Sequence, residues 1–438
     1  MIKNYIKRDV LERILEWIER PEVIFIKGPR QSGKTTLLEI LKEKLKDKQI
    51  YYFSFEDRNL LEQFEKDPVE FIEILLKKDK VFVFLDEYQY VTDSGQKLKL
   101  VYDKFKERAK IIITGSNSLE LEGATAKYMV GRMFSLNLYP LSFKEFLRSK
   151  EERIFNLWEK RNKKIKDIFW GERSLELKSF STDPYENEMR RHWEEYCLYG
   201  GYPAVVNEKR KEVKKDILDA LVQTYINKDV VHLLKQEDIK KFRDMVRILA
   251  GQTAQILNYN QLSNDTGSYH EKIKHFLSLL EETFLIKRIY PYHKNLTTEL
   301  KKTPKGYFLD SGLRNALLSS YGEMKIRPDR GEIVESVTLF NIIASFKREE
   351  KVSFWRTMGG AEVDFVVQKE SLVYPIEVKY KKKKVSVSRS WYNFIENYNP
   401  KSFFVLTDGF WGEKKIKKTN VYFVPVWYFF SFGFFEKE

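Results

Sequence analysis

The stretch Gly28-Pro29-Arg30-Gln31-Ser32-Gly33-Lys34-Thr35-Thr36 decides the fold of this chain. It fits G-x-x-x-x-G-K-[ST], the pattern of the phosphate-binding P-loop. The apolar run at 23–27 before it predicts a buried strand, and the residues from Thr36 onward predict a helix. Strand, loop and helix therefore follow one another in the order that a P-loop requires.

The residue types of this loop suit a nucleotide bound with Mg²⁺. Glycines let the backbone turn tightly and bring its N–H groups close to phosphates, and the helix N-terminus adds positive potential. We expect Lys34 to reach the β- and γ-phosphates and the Thr35 hydroxyl to bind Mg²⁺. The whole loop from Gly28 to Thr36 is thus predicted to bind ATP.

A second motif follows in the apolar run 81–85, which predicts a buried strand ending in Asp86 and Glu87. An apolar strand that ends in Asp-Glu is the Walker B pattern. Asp86 is expected to hold Mg²⁺, and Glu87 to orient and polarise the attacking water.

The next predicted strand, around 111–113, ends in Thr114-Gly115-Ser116-Asn117. A polar side chain at this strand end would lie between the two Walker strands and touch the γ-phosphate or the water. Ser116 and Asn117 are both candidates, and ordinary turn chemistry is the alternative. Arg132 stands where related ATPases carry an arginine finger, with a surface arginine as the alternative.

Strands alternate with helices up to about Pro140, which predicts a parallel sheet with its ligand at the carboxyl ends of the strands. An amphipathic helix at 3–19 comes before the P-loop strand. The charged segment 141–237 predicts a helical lid over the nucleotide.

Residues 238–325 follow the pattern of a winged helix, with three helices and two wing strands. Its third helix carries Lys272 and Lys274, and lysines 294, 301, 302 and 305 are predicted near the wing tip. Such a unit presents a helix to a DNA groove. A protein–protein module and a structural spacer are the alternatives.

The last segment, 326–438, places polar residues on two apolar strands. Glu377 and Lys379 share one face of their strand, and Asp364 lies on the preceding strand of the same hairpin. Two carboxylates can hold a divalent metal that activates water against a phosphodiester, while the lysine stabilises the developing charge. Glu335, on the helix before the hairpin, is a further candidate ligand, and a polar hairpin without chemistry is the alternative.

Composition limits the partners. The 438 residues suffice for about two to four domains, and a net charge of +14 favours a polyanion such as nucleic acid. Cys197 is the only cysteine, which excludes an intramolecular disulfide and a cysteine zinc site. No secretory signal and no membrane-spanning apolar run is recognised, so we expect a cytoplasmic protein without a membrane partner.

Together these motifs resemble the prokaryotic, archaeal-type AAA-type P-loop ATPases that carry a winged helix and a C-terminal PD-(D/E)XK nuclease-like domain. The resemblance rests on GPRQSGKTT at Gly28, FLDE ending at Glu87, ITGSNS at Ile113, GRMFSLNLYPLSFKEF at Gly131, GGYP at Gly200, YFLDSGL at Tyr307, WRTMGGAEVDFVV at Trp355 and PIEVKY at Pro375. It implies nucleotide roles for Lys34, Thr35, Asp86 and Glu87. It also implies a nuclease core of Asp364, Glu377 and Lys379, with Glu335 as an additional member.

The predicted fold class is therefore α/β and multidomain. The expected domains are an ATPase core at 1–140, a helical lid at 141–237, a winged helix at 238–325 and a restriction-endonuclease-like α/β domain at 326–438.

The expected function is ATP-dependent binding and remodelling of branched, damaged or duplex DNA, with ATP and Mg²⁺ as cofactors. Metal-dependent DNA cleavage and a homo-oligomer are parts of this hypothesis. The rivals are a nucleotide-dependent signalling switch whose C-terminal domain only binds DNA or protein, and a defence nuclease gated by ATP.

Overall fold

The computed structural model describes residues 5–76, 79–116, 127–170, 183–226, 234–293, 302–346, 351–380 and 387–429. The chain divides into two compact units, one formed by residues 1–141, 202–204 and 278–285, and the other by 142–201, 205–277 and 286–438. Among the described helices, none is both long enough and apolar enough to cross a lipid bilayer.

The first unit is built on a parallel five-stranded sheet in the order β2-β3-β4-β1-β5. The strands are β1 Val23–Lys27, β2 Ile50–Ser54, β3 Val81–Asp86, β4 Ala109–Gly115 and β5 Met133–Asn137. As the sequence predicted, β4 lies between the P-loop strand β1 and the Walker B strand β3. The polar ends of these three strands therefore meet at one edge of the sheet.

Apolar side chains cover both faces of this sheet. Phe25, Val83 and Ile113 pack into the core on one face, and their neighbours in sequence, such as Ile24 and Phe84, pack into the core on the other. A parallel sheet buried on both faces needs continuous apolar strands. This explains why β1, β3 and β4 contain almost no polar residues before their carboxyl ends.

The helices of the first unit are α1 Val10–Glu16, α2 Lys34–Lys44, α3 Arg58–Lys66, α4 Pro68–Glu73 and α5 Ser94–Phe105. The helix predicted at 3–19 was too long, and tertiary contacts explain both of its ends. Before α1, Arg8 donates hydrogen bonds to backbone carbonyls of the P-loop region. After α1, the buried Lys110 ammonium binds the carbonyl oxygens of Trp17, Arg20 and Glu22 at 2.6–2.8 Å.

After β5 the chain continues with helices. They are α6 Phe143–Lys150, α7 Glu152–Phe169, α8 Glu186–Tyr199, α9 Pro203–Asn207 and α10 Lys211–Thr224. The region of the predicted lid is thus helical where it is described. Its role as a lid stays a prediction.

Three helices and a small antiparallel sheet follow. The helices are α11 Gln236–Gly251, α12 Tyr259–Thr266 and α13 His270–Glu282, and the sheet has the order β6-β8-β7, formed by β6 Gln255–Ile256, β7 Ile286–Ile289 and β8 Lys305–Phe308. The winged-helix interpretation stays a prediction. The placement of Lys305 at a wing tip was wrong, because Lys305 begins β8 and is buried.

The C-terminal part contains a six-stranded mixed sheet in the order β13-β14-β12-β11-β10-β9. Its strands are β9 Lys351–Arg356, β10 Glu362–Lys369, β11 Leu372–Lys379, β12 Ser402–Thr407, β13 Gly412–Ile416 and β14 Thr419–Pro425. Helices α14 Ser311–Leu317 and α15 Arg330–Ala344 come before this sheet in the chain, and α16 Arg389–Tyr398 connects β11 to β12. The chain is therefore a mixed α/β protein with a P-loop-type parallel sheet and an additional C-terminal sheet.

Candidate functional site

Two glycines determine the shape of the P-loop between β1 and α2. A Cβ on Gly28 would lie 2.2 Å from the Leu138 carbonyl oxygen, so only glycine fits at this close approach. Gly33 has φ 99°, and Gln31 lies in the left-handed region with φ 60°. The loop thus needs the backbone freedom that the sequence motif supplies.

Lys34, at the start of α2, is directed along the inside of this loop. Its ammonium donates hydrogen bonds to the carbonyl oxygens of Gly28 at 3.0 Å and Pro29 at 3.1 Å, and the side chain is buried. Thr35 and Thr36, in the same first turn, are exposed. A phosphate bound by the loop would compete with the two carbonyls for the Lys34 charge.

Further contacts hold the loop from outside. Arg8 donates to the Ser32 carbonyl oxygen at 2.8 Å and to the Tyr139 carbonyl oxygen at 2.6 Å, so it joins the loop to the segment after β5. The Arg30 guanidinium lies 3.5 Å from the Tyr90 hydroxyl oxygen. Arg8 is far from the loop in sequence, and no motif pointed to it.

Asp86, at the end of β3, is buried and accepts hydrogen bonds from three hydroxyl groups. The donors are the Thr35 Oγ1 and the Tyr52 hydroxyl, each at 2.8 Å from Asp86 Oδ2, and Thr114 Oγ1, which contacts Oδ1. Burial, together with the hydrogen bond to Asp86, raises the pKa of Tyr52 above its usual value, so the Tyr52 hydroxyl stays a neutral donor. All three of these hydrogen bonds come from uncharged hydroxyl groups.

Glu87 follows in an unusual backbone conformation, with φ 57° and ψ 44°. For a residue other than glycine this left-handed conformation costs on the order of 1–3 kcal/mol, and such strain is concentrated at functional sites. The Glu87 N–H donates to Thr114 Oγ1 at 3.1 Å. Gln89 Nε2 donates to the Glu87 carboxylate and, at 3.2 Å, to Ser116 Oγ.

Of the two sensor candidates, Ser116 is buried at the end of β4 and contacts Gln89. Asn117 lies outside the described residues. The structure therefore connects one candidate, Ser116, to Glu87 through Gln89.

Arg132 precedes β5 and is partly exposed. Its guanidinium forms an ion pair with Asp103, 3.1 Å from Nε to Oδ1. Within the first unit Arg132 thus has an acidic partner on α5. Its action on a neighbouring subunit stays a prediction.

In the C-terminal sheet, Asp364 on β10 meets Glu377 and Lys379 on the antiparallel neighbour β11. The Asp364 N–H donates to Glu377 Oε2 at 3.3 Å, and Asp364 Oδ2 accepts from the Val378 N–H at 2.7 Å. The Lys379 ammonium forms an ion pair with Glu377. The predicted convergence of these three side chains is therefore present.

The backbone at Asp364 is irregular. The pairing of β10 with β9 shifts between Val363 and Val366, which is the position of Asp364. Such bulges re-aim side chains and occur often beside active sites.

Glu335, on α15, joins this group through residues that the sequence did not indicate. Glu335 Oε1 lies 3.3 Å from the Lys305 ammonium and accepts a hydrogen bond from the Tyr307 hydroxyl at 2.7 Å. Lys305 also lies 2.5 Å from Glu362 Oε1. We call these residues the carboxylate cluster; its members are Lys305, Tyr307, Glu335, Glu362, Asp364, Glu377 and Lys379.

Burial perturbs the titration of this cluster. Burial and the neighbouring Asp364 charge raise the pKa of Glu335 to about 7 and that of Glu377 to about 8, although a lysine beside each opposes the shift. Burial by itself lowers the pKa of Lys305, but the charges of Glu335, Asp364 and Glu362 outweigh it and raise that pKa. Groups with such perturbed pKa values are frequent at functional sites.

The residues that the structure describes contain no group of three or more histidine, cysteine, aspartate or glutamate side chains placed to hold a metal ion. In the carboxylate cluster, the ammonium groups of Lys305 and Lys379 contact the carboxylates instead. The metal-binding roles of Glu335, Asp364 and Glu377 stay predictions.

Three family models match the chain. Residues 20–147 match the model described as "AAA domain". Residues 190–323 and 330–429 match models described as domains of unknown function, DUF8612 and DUF4143. The AAA-domain match contains the P-loop, Asp86, Glu87, Ser116 and Arg132.

Relatives and solved structures cover most of the chain at low identity. An uncharacterised protein of Haemophilus influenzae is 24% identical over 87% of this chain and 88% of its own length. One from Methanocaldococcus jannaschii is 26% identical over 82% and 76%. The Walker-type ATPase of Pyrococcus abyssi is 15% identical over 72% of this chain and 97% of that chain, with a TM-score of 0.46. The ADP form of the Aeropyrum pernix ORC2 protein is 14% identical over 65% and 89%, with a TM-score of 0.31.

The sequence missed several partners of the candidate residues. Gln89 and Glu362 lie two residues from Glu87 and Asp364, so the local pattern contained a signal for both. Tyr52 and Lys305 come from strands distant in sequence, and only the fold brings them to Asp86 and Glu335.

Proposed function

We propose that this protein binds ATP with Mg²⁺ at the P-loop of the AAA-domain segment and hydrolyses it. The observation that carries the proposal is the hydrogen bond from Thr35 Oγ1 to Asp86 Oδ2 at 2.8 Å. It joins the two side chains that P-loop ATPases use around Mg²⁺, one at the start of α2 and the other at the end of β3.

The chemistry of the loop fits a triphosphate. Gly28 and Gly33 allow the backbone N–H groups to approach phosphate oxygens, and the N-terminus of α2 adds positive potential. Lys34 Nζ, now on the carbonyls of Gly28 and Pro29, would bind the β- and γ-phosphates in their place. Bound Mg²⁺ would neutralise charge on the phosphates, with Thr35 and Asp86 as the residues that hold it.

Glu87 would act on the attacking water. Its carboxylate accepts a proton as the water oxygen attacks the γ-phosphorus. Gln89 connects this carboxylate to Ser116 by hydrogen bonds to both residues. In this proposal Arg132 contacts the γ-phosphate bound to a neighbouring copy of the chain in a homo-oligomer.

The test is steady-state ATP hydrolysis by the full chain with Mg²⁺, combined with nucleotide binding. Lys34→Ala should weaken ATP binding, and Glu87→Gln should bind ATP but turn it over about 10²–10⁴-fold more slowly, because water activation is lost. Lys44→Ala, an exposed lysine on the same helix, is the matched control. Equal turnover by Glu87→Gln and wild type would remove Glu87 from the mechanism.

We further propose that ATP hydrolysis serves the binding and remodelling of DNA. The support is the net charge of +14 and the order of helices and strands from α11 to β8, which matches the winged-helix pattern. Hydrolysis stimulated by branched or duplex DNA would support this use. Assembly driven by ATP alone, without any effect of DNA, would favour the signalling switch.

A second candidate function, metal-dependent phosphodiester cleavage, is favoured by the convergence of Asp364, Glu377 and Lys379. Mg²⁺ keeps most of its waters and needs only one or two carboxylates, so Asp364 and Glu377 are a sufficient ligand pair. In this candidate function the basic run Lys381–Lys384, which lies outside the described residues, would hold the substrate backbone.

This candidate is tested by incubating branched and linear DNAs with Mg²⁺ or Mn²⁺. Asp364→Ala should abolish cleavage while ATP hydrolysis continues, whereas Glu413→Ala, an exposed acid on β13, should cleave like wild type. Absence of cleavage by wild type, together with no Asp364-dependent metal binding in calorimetry, would leave this domain as a binding scaffold.

A further inference from the structure

The side chain of Gln89 connects two residues of the ATP site. Its Nε2 donates to Glu87 Oε2 and, at 3.2 Å, to Ser116 Oγ. Its Oε1 accepts a hydrogen bond from the Ser116 N–H at 3.3 Å. Both ends of the amide therefore contact Ser116, which fixes the amide plane and directs one N–H at the Glu87 carboxylate.

The backbone around Gln89 is also held in place. Gln89 lies in a short 3₁₀ helix, Tyr88–Tyr90, that follows Glu87. Tyr88 is fully buried, packs against Phe55 and Phe64, and donates through its hydroxyl to the Ser94 carbonyl oxygen at 3.2 Å. The core therefore anchors the backbone of this turn, and the hydrogen bonds to Ser116 and Glu87 hold the Gln89 amide itself.

Without the hydrogen bond from Gln89, the Glu87 carboxylate could point in several directions. Its backbone is fixed in the left-handed conformation, with its N–H on Thr114 Oγ1 at 3.1 Å. The side chain, however, has several rotatable bonds. The Gln89 N–H is the contact that selects one orientation of the carboxylate.

We propose that Gln89 is a positioning residue for ATP hydrolysis, which orients the Glu87 carboxylate and ties it to Ser116. The inference rests on the function proposed above. The Gln89 amide donates a hydrogen bond to Glu87 Oε2. The other carboxylate oxygen, Oε1, accepts the proton of the attacking water. As that proton leaves, the water oxygen bonds to the γ-phosphorus, and the bond from this phosphorus to the β–γ bridging oxygen breaks.

The hydrogen bonds between Gln89 and Ser116 also couple the orientation of Glu87 to the position of Ser116. Ser116 lies at the end of β4, between the P-loop strand and the Walker B strand. A shift of Ser116 on contact with the γ-phosphate would move the Gln89 amide, because both amide groups bond to Ser116. Gln89 thus makes the direction of the Glu87 carboxylate depend on the position of Ser116.

The first test separates positioning from binding. Gln89→Met keeps the side-chain length but removes both hydrogen-bonding groups, and Gln89→Glu removes the N–H donor and adds a negative charge beside Glu87. Both should lower kcat about ten- to a hundredfold, as expected for a lost hydrogen bond to a charged group. For Gln89→Met, which adds no charge, KM and ATP affinity should stay within about twofold of wild type, because Gln89 contacts no P-loop residue in the described structure.

Gln96→Met is the matched control. Gln96 is an exposed glutamine on α5 whose amide donates to the Tyr128 hydroxyl at 2.8 Å. Its replacement should leave kcat and KM unchanged. Thermal melting of all variants shows whether the fold is intact, and a Gln89→Met protein that unfolds or loses ATP affinity would indicate a structural role and overturn the proposal.

A double-mutant cycle then asks whether Gln89 acts through Glu87. If it does, Gln89→Met should change the residual kcat of Glu87→Gln by less than about twofold, because there is no base left to orient. Equal fold-losses in the two backgrounds, or wild-type kcat in Gln89→Met, would refute the inference while Glu87→Gln alone still slows turnover. Failure of the proposed ATPase function would give a different result from failure of this inference, because wild type and Glu87→Gln would then hydrolyse ATP at the same rate.

Discussion

Replacing Lys305 with methionine should destabilise the C-terminal part of the protein strongly at alkaline pH. Lys305 Nζ lies 3.3 Å from Glu335 Oε1 and 2.5 Å from Glu362 Oε1, and the side chains of Lys305 and Glu335 are only 5% and 15% exposed. Methionine fills nearly the same volume but leaves the carboxylates without this positive charge.

The size of the effect follows from the burial of the pair. Removing one partner of a buried ion pair costs about 3–5 kcal/mol, because the other charge stays in the interior uncompensated. Tyr307 still donates to Glu335, and Glu362 is more exposed and lies 3.6 Å from Arg356, so we expect the lower end, about 3 kcal/mol. The measurement is urea unfolding of the full chain at pH 8 with a chelator present, and Lys302→Met, an exposed lysine nearby in sequence, is the control.

The pH dependence gives the sign of the effect. The pKa of Glu335 is raised to about 7 by burial and by Asp364, and loss of the Lys305 charge raises it further. Between the unfolded pKa and the folded pKa of this carboxyl, the native state binds more protons than the unfolded state, so its stability falls as pH rises. The deficit of Lys305→Met should therefore be smaller at pH 6 than at pH 8, and adding Glu335→Gln should recover part of it at pH 8. An equal loss at both pH values, or no loss at pH 8, would refute this account of the cluster.

Three further predictions address other contacts. Mixing Arg132→Ala with Lys34→Ala protein should restore some ATPase activity if Arg132 acts in trans; no rescue by exchanging oligomers would count against it. Lys110→Met should lower the unfolding free energy by about 1–3 kcal/mol, measured by chemical denaturation, because three backbone carbonyls after α1 lose their buried donor. In DNA-binding titrations, Lys302→Ala should reduce the slope of log affinity against log salt by about one unit. Lys272→Ala should change that slope little, because Lys272 already lies 2.6 Å from buried Asp238.

The parallel sheet was predictable because its signals are local. The apolar runs of β1, β3 and β4 are continuous, and each ends in polar residues of a recognisable motif. The position of β4 between the Walker strands followed from those motifs. The bounds of α1 did not, because Arg8 and Lys110 fix its two ends through contacts that are distant in sequence.

In the carboxylate cluster, the sequence predicted the positions of some residues and not of others. Asp364, Glu377 and Lys379 come together because strand alternation and a hairpin are enough to place them on one face. Lys305 was wrongly placed at an exposed tip, because a lysine near a predicted turn is normally solvated. Its burial depends on Glu335 and Glu362, which neutralise it, and a single sequence contains no sign of that pairing.

The two acidic sites differ in how their charge is balanced, and this bears on what they can bind. Asp86 accepts its hydrogen bonds from hydroxyl groups, and in the proposed function it holds the Mg²⁺ that arrives with the nucleotide. In the carboxylate cluster, the carboxylates Glu335, Glu362, Asp364 and Glu377 outnumber the ammonium groups of Lys305 and Lys379. The raised pKa values of Glu335 and Glu377 reduce this surplus by protonation near neutral pH. A divalent ion there must compete with both protons and lysines, so we expect the proposed ATP site to bind Mg²⁺ at lower concentrations than the cluster does.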